Sequence, residues 1–465
     1  MSVQASGTRW YNSVWRWHFY AGMVCIPFVL WLALTGSLYL WRPQVEAWID
    51  QRFDHLSTAA PAQSPDAQVA AAVRAVPGSA LRKYVLPDAR GHAVRVIVGR
   101  GGVDNRVYVD PATLRVLQVV REDARLFPLL SRLHGTLLAG TIGSYIVEIA
   151  ACWAVTMLLT GLYLWWPRGA RGLGGVLYPR LGGGKRRFWR DLHATTGVWV
   201  SVFALGLILT GLPWAKGWGS YLVEVRALTG TSKGPVDWTI GGKPPIAPPS
   251  ADPHAGHAGM AGMPMQAVAP APLPAGALSR VVAAGALSRV VAAARPLGIA
   301  APVLVAPPKT PGGAWSVSSD SANRPQRSDA QVDGATGRVL GRSGFAQRHW
   351  IDRLIGYGIA VHEGALFGLA NQIAGTLVAA MLALLAGSGA VLWWRKRPVG
   401  LLGAPIPLTR PRFGPVLVTA IVGLGAYMPM FGATLLGVLA LERLVLRRIG
   451  GARRWLGLAP HRARA

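Results

Sequence analysis

Residues 15–41 read WRWHFYAGMVCIPFVLWLALTGSLYLW, and residues 190–216 read RDLHATTGVWVSVFALGLILTGLPWAK. Each holds an apolar run of the roughly 20 residues that a helix needs to cross the hydrocarbon core of a bilayer. Each run is preceded by a histidine, His18 or His193, and a Thr-Gly pair follows at the same offset in both, at Thr35-Gly36 or Thr210-Gly211. Lipid tolerates imidazole poorly. A histidine at the same place in two spans therefore sets both the fold and the chemical question.

Two further spans carry a second shared pattern. His134 is followed by Gly161 and then Trp165-Trp166, and His362 is followed at matching distances by Gly389 and Trp393-Trp394. The segments between the spans correspond too. VYVDPATLRVLQ at 107–118 answers AQVDGATGRVLG at 330–341, each reading as two short strands about an Asp-containing turn. AVRVIVGR at 93–100 alternates as a half-buried strand does. The expected fold class is a membrane all-α bundle with two small α+β domains, built as an internal two-fold repeat with its axis along the membrane normal. Four main transmembrane helices are expected near 19–41, 143–166, 194–214 and 372–394. A fifth apolar region, 413–445, is interrupted at Met428-Pro429-Met430 and reads as a hairpin or a kinked helix.

The chain carries 48 Lys and Arg against 20 Asp and Glu, for a formal charge of +28. The basic residues gather where short loops meet the membrane: Arg168, Arg171, Arg180, Lys185, Arg186, Arg187 and Arg190 in one loop, and Arg395, Lys396, Arg397, Arg410 and Arg412 in another. Such loops stay in the cytoplasm. This explains the charge without nucleic acid, which would call for one basic soluble face. It also places the N-terminus inside and the two long loops outside. Span one is followed by no small-residue cleavage site and reads as a retained anchor. The chain then divides into 1–41, the first span; 42–133, the first outer domain; 134–214, spans two and three with their basic loop; 215–350, the second outer domain; 351–396, span four; and 397–465, the C-terminal hairpin and basic tail. Within the second outer domain, 243–275 is rich in Pro, Ala and Gly and reads as a disordered linker. GALSRVVAA follows it twice in tandem.

The four histidines fall into two matched pairs. His18 and His193 belong to the cytoplasmic ends of their spans, and His134 and His362 to the outer ends. Two imidazoles facing each other across a bundle are what a six-coordinate b-type haem requires. Two haems are therefore expected, held by His18/His193 and His134/His362. Interfacial histidines bonded to backbone or water are the plain alternative. A single haem, or quinone held by one pair, also fits the sequence. No Cys-x-x-Cys-His occurs, so covalent haem attachment has no support. Cys25 and Cys152 read as small buried residues.

These residues, with the motifs WRWHFYAG, LSRLHGTLLAG, RDLHATTG and VHEGALFGLANQIAG, resemble the PepSY-associated transmembrane family of iron-regulated membrane proteins. The resemblance runs over nearly the whole chain apart from the linker, and it makes the outer segments PepSY-like. Some members resemble haem-containing ferric-siderophore reductases of the bacterial inner membrane, which implies that the two long loops lie in the periplasm. The resemblance implies His18, His134, His193 and His362 as haem ligands.

Other candidates carry separate chemistry. His349, upstream of His362, is an alternative outer ligand or a propionate contact. Glu148 lies inside span two, where a carboxylate is costly and serves either a proton or quinol site or a structural bond. His254, His257, Met260, Met263 and Met265 combine imidazole and thioether, a donor set suited to weak capture of copper. Arg95, Arg100 and Arg106 could attract an anionic chelate. The expected function is one-electron reduction of a periplasmic ferric chelate, such as a siderophore, by an oxidoreductase fed by quinol or a flavoprotein. No Gly-rich dinucleotide fingerprint offers direct use of NAD(P)H. The alternatives are a cupric reductase or copper-handling protein, and a non-enzymatic scaffold or chelate transporter without haem.

Overall fold

The computed structural model describes residues 3–168, 172–182, 184–231, 285–310, 312–405, 407 and 414–458. Among these, five helices are long and apolar enough to cross a membrane. Four form the bundle: α1 (Val3–Leu40), α5 (Gly140–Trp165), α6 (Lys185–Gly211) and, completing the ring, α10 (Leu369–Lys396). Helix α1 packs along α5 and α10, and α6 along the same two, so α1 faces α6 across the middle. Helices α1 and α6 begin well before their apolar runs do. His18 and His193 therefore lie inside helices and not at their mouths, because hydrogen bonding carries each helix beyond the lipid-facing stretch into its basic flank.

Short helices follow or precede the spans at the other end of the bundle. These are α2 (Arg42–Asp50), α4 (Leu126–Thr136), α7 (Lys216–Leu228) and α9 (Trp350–His362). The corner between α4 and α5 is tight, with Leu137 and Leu138 both at positive φ. A Cβ on Gly143 would lie 1.7 Å from the Thr136 carbonyl oxygen, so only glycine fits there. This corner makes α4 a separate short helix ahead of the span.

The two expected outer domains are joined as one. Strands β1 (Ala80–Val85), β2 (Val94–Arg100), β3 (Val103–Val109) and β4 (Val116–Arg121) form one half. Strands β5 (Val303–Ala306), β6 (Trp315–Ser319), β7 (Ser328–Val332) and β8 (Val339–Gly344) form the other. The antiparallel order is β4-β3-β2-β1-β5-β6-β7-β8. The halves meet where Tyr84 pairs with Val305 and Val85 with Leu304. Joining them removes two open sheet edges, each of which would leave backbone donors unpaired. Helices α3 (Pro65–Ala75) and α8 (Ala286–Ala294) cover one face, packing Val69, Ala72, Leu287 and Val290 against Val96, Val107, Val305 and Val317. The second GALSRVVAA copy supplies α8. The two Asp-containing turns are alike in detail. Asp110 Oδ1 accepts from the Ala112 and Thr113 amides, and Asp333 Oδ1 from those of Ala335 and Thr336.

The C-terminal apolar region is a hairpin. Helices α11 (Pro415–Tyr427) and α12 (Pro429–Leu441) meet at Met428, which leaves helical geometry. Gly425 and Gly432 touch across the turn, an ideal Cβ on the first lying 3.5 Å from the Cα of the second. The tip packs beside α5 and α7, with Phe431 edge-on to Trp153 and Trp218 Nε1 donating to the Tyr427 carbonyl at 2.9 Å. The segment after the hairpin returns to the His18 end. There Arg16 donates to the carbonyls of Pro405 and Gly457, and Tyr20 to that of Leu456.

Candidate functional site

The four repeat-matched histidines come together as two pairs. His18 and His193 have ring centres 6.4 Å apart with planes at 76°, and His134 and His362 have centres 6.4 Å apart at 78°. The two pairs thus share one spacing and one near-perpendicular ring arrangement. An imidazole nitrogen binds a first-row metal at about 2.0–2.1 Å and its ring centre lies about 1.1 Å beyond, so a spacing of this size would leave room for a metal held by both rings of a pair. Among the described residues no group of three or more His, Cys, Asp or Glu could hold a bare ion. A two-imidazole set suits a metal whose other ligands arrive with it.

Each ring is seated by a hydroxyl-glycine pair on a neighbouring helix of its own half. His18 Nδ1 bonds Thr160 Oγ1 (3.1 Å) and the Met157 carbonyl (3.0 Å) on α5. His193 Nδ1 bonds Ser388 Oγ (3.1 Å) and the Leu385 carbonyl (3.1 Å) on α10. His134 Nδ1 bonds Thr35 Oγ1 on α1, and His362 Nδ1 bonds Thr210 Oγ1 on α6, both at 3.0 Å. The glycine that follows each hydroxyl lies under the ring. Ideal Cβ atoms on Gly161, Gly389, Gly36 and Gly211 would lie 3.1–3.3 Å from the four Cε1 atoms. With Nδ1 committed behind, Nε2 is left as the lone pair for a ligand, the arrangement by which outer bonds orient metal-binding histidines.

The Thr-Gly pairs that follow His18 and His193 in sequence serve different histidines from the ones they accompany. Thr35-Gly36 seats His134, and Thr210-Gly211 seats His362. Sequence alone does not single out Thr160 and Ser388. Their signal is a hydroxyl-glycine pair, Thr160-Gly161 or Ser388-Gly389, placed at one fixed offset after His134 and after His362.

Glu148 meets a main-chain amide. It is 2 % exposed and accepts from the Gly217 amide at 2.8 Å, while Ser144 Oγ, one turn earlier, accepts from the Lys216 amide at 3.1 Å. Together they cap the N-terminus of α7, satisfying donors that would otherwise be orphaned. At the matching junction of the first half, Gln372 donates to the Leu40 carbonyl and Thr376 accepts from Trp41 Nε1. Glu148→Ala is therefore expected to lower stability by about 1–2 kcal/mol in thermal unfolding in detergent, without changing ligand binding at either histidine pair.

His349 also acts on backbone. Its Nδ1 accepts from the Ile351 amide at 3.3 Å and caps α9, so it joins neither pair. Arg95 is bonded to Asp50 and Asp54, and Arg106 to Glu122, which leaves Arg100 as the exposed member of that trio. Trp214, on the turn after α6, stands edge-on to His362 at 5.8 Å, with the Arg324 guanidinium over its ring. His254, His257, Met260, Met263 and Met265 lie outside the described residues, as does the 243–275 stretch.

Fold and site define a polytopic membrane protein with two imidazole pairs at different levels of one bundle. The chain matches the model of the PepSY-associated TM region over residues 15–396 and belongs to that family. Comparison with curated proteins finds no match.

Proposed function

We propose that the protein is a two-haem b-type cytochrome of the bacterial inner membrane that reduces a ferric chelate on its periplasmic side. The carrying observation is the identical 6.4 Å separation of both histidine pairs, each ring held through Nδ1. His18 and His193 would hold haem at the inner end, and His134 and His362 at the outer end. Bound haem supplies one-electron Fe(III)/Fe(II) chemistry.

The residues of the chain do the rest. The glycines leave space for rings to lie close to backbone. The apolar bundle excludes water from both pairs. From His18 to Thr35 helix α1 rises by about 25 Å, which sets the spacing of the two levels. We read the chain as an internal two-fold repeat: each half seats its own histidines, and each pair is completed across the axis. The basic loops support an inside location for the His18 end, where Arg168 lies over Tyr163 and Arg397 over Trp394. The sheet then lies in the periplasm, above the His134 end. Quinol or a reduced flavoprotein is the donor, and the ferric chelate is the acceptor. An electron moving outward runs downhill by about 2.3 kcal/mol per 100 mV of membrane potential.

The test is an absorption spectrum of protein purified after expression with ample haem. A reducible b-type spectrum at two haems per chain, reoxidised by a ferric chelate, is the expected result. A colourless protein overturns the proposal in favour of a scaffold. Two bound haems that a cupric salt reoxidises and no ferric chelate does would move the substrate to copper.

A further inference from the structure

The two pairs differ in what stands behind them. At the His18/His193 level each Nδ1 has two oxygen partners, a main-chain carbonyl and a hydroxyl: Met157 with Thr160, and Leu385 with Ser388. At the His134/His362 level each Nδ1 has a hydroxyl partner, Thr35 or Thr210, and a carbonyl is added only at His362, from Leu207. All four hydroxyls already donate along their own helices: Thr160 to Thr156, Ser388 to Leu385, Thr35 to Trp31 and Thr210 to Gly206. Each hydroxyl must therefore accept from Nδ1–H. A carbonyl can only accept. All four rings carry their proton on Nδ1, and only at the inner level does each ring share it with both a carbonyl and a hydroxyl.

An acceptor on Nδ1–H pulls the proton away from the ring and makes Nε2 a stronger electron donor. A stronger donor favours ferric iron over ferrous, which lowers the reduction potential. Resting on the haem assignment above, we propose that the backbone carbonyls of Met157 and Leu385 make the inner site the lower-potential one. Thr160, Ser388, Thr35 and Thr210 are then positioning residues that act through the histidines. The order of potentials points electrons from the His18 level to the His134 level even without a membrane potential.

Redox titration of the haem-loaded protein in detergent, followed optically, tests this. Two components are expected, and His18→Ala should remove the lower one while His134→Ala removes the upper one. Thr160→Val should raise the lower component alone, with Thr160→Ser restoring it; Thr35→Val should raise the upper component alone. The near-perpendicular ring planes also predict strongly anisotropic low-spin ferric EPR signals from both sites. Loss of the upper component in His18→Ala, or no shift in Thr160→Val with haem still bound, overturns the proposal. Either result leaves the two-haem function standing, whereas absence of haem sinks that function first.

Discussion

If the two pairs hold haem as proposed, His193→Gly is expected to empty the inner level and leave the outer level filled, halving the haem content per chain. His193 seats itself on Leu385 and Ser388 of α10, while its opposite number His18 sits on Met157 and Thr160 of α5. Removing one ring leaves the other in place, because their supports are on different helices. His18 alone would then hold a haem at that level, beside a cavity of imidazole size. Added imidazole should enter that cavity and restore the low-spin spectrum, which a merely unfolded bundle could not do. The outer pair rests on Thr35 and Thr210, about 25 Å away along α1 and α6, and its spectrum should be unchanged. Chelate reduction should fall by at least tenfold with a donor that enters at the inner end, since the first step across the bilayer is missing. A variant that keeps both haems would remove His193 from the ligand set.

The pairing of histidines was legible because it depends on spacing. The offset from His18 to Thr35-Gly36, and those from His134 to Gly161 and to Trp165-Trp166, recur from His193 and His362 in the second half. A helix turns a fixed offset into a fixed level. The seats were half legible. Thr35-Gly36 is visible beside His18 in sequence, yet antiparallel packing of α4 and α5 on α1 gives it to His134. Sequence marks which residues share a level only once the partner helix is known. The union of the outer domains was not legible, because a strand reads the same whether its edge is free or paired. Glu148 misleads for a related reason: a carboxylate in an apolar run suggests proton chemistry, and only the arrival of the α7 amides at Lys216 and Gly217 makes it a cap. The break at Met428-Pro429 was visible; that it closes a hairpin follows from Gly425 meeting Gly432.

Asp352→Ala is expected to destabilise the protein by about 3–5 kcal/mol, the cost of stranding a buried charge. Arg226 on α7 and Asp352 in the first turn of α9 are 4 % and 0 % exposed, and they bond through two parallel contacts of 2.7 and 2.8 Å. Arg226 also donates to the Thr231 carbonyl, while its Nε has no partner among the described residues. Without Asp352 the guanidinium loses its counter-charge in a site that water does not reach. His362 ends the same helix, so the loss should also loosen the outer haem site while the inner spectrum stays as it is. The corresponding tie in the first half joins Arg125, ahead of α4, to Glu46 on α2 at 2.8 Å. That pair is part-exposed, so Glu46→Gln should cost about 1 kcal/mol or less. Replacing both buried partners, Arg226→Met with Asp352→Leu, should recover most of the stability, because no charge is then left unpaired. Thermal unfolding in detergent, with the outer haem spectrum read in parallel, separates the cases. A double variant as unstable as Asp352→Ala would mean that the ion pair itself, and not the avoidance of a lone charge, holds α9 and His362 in place.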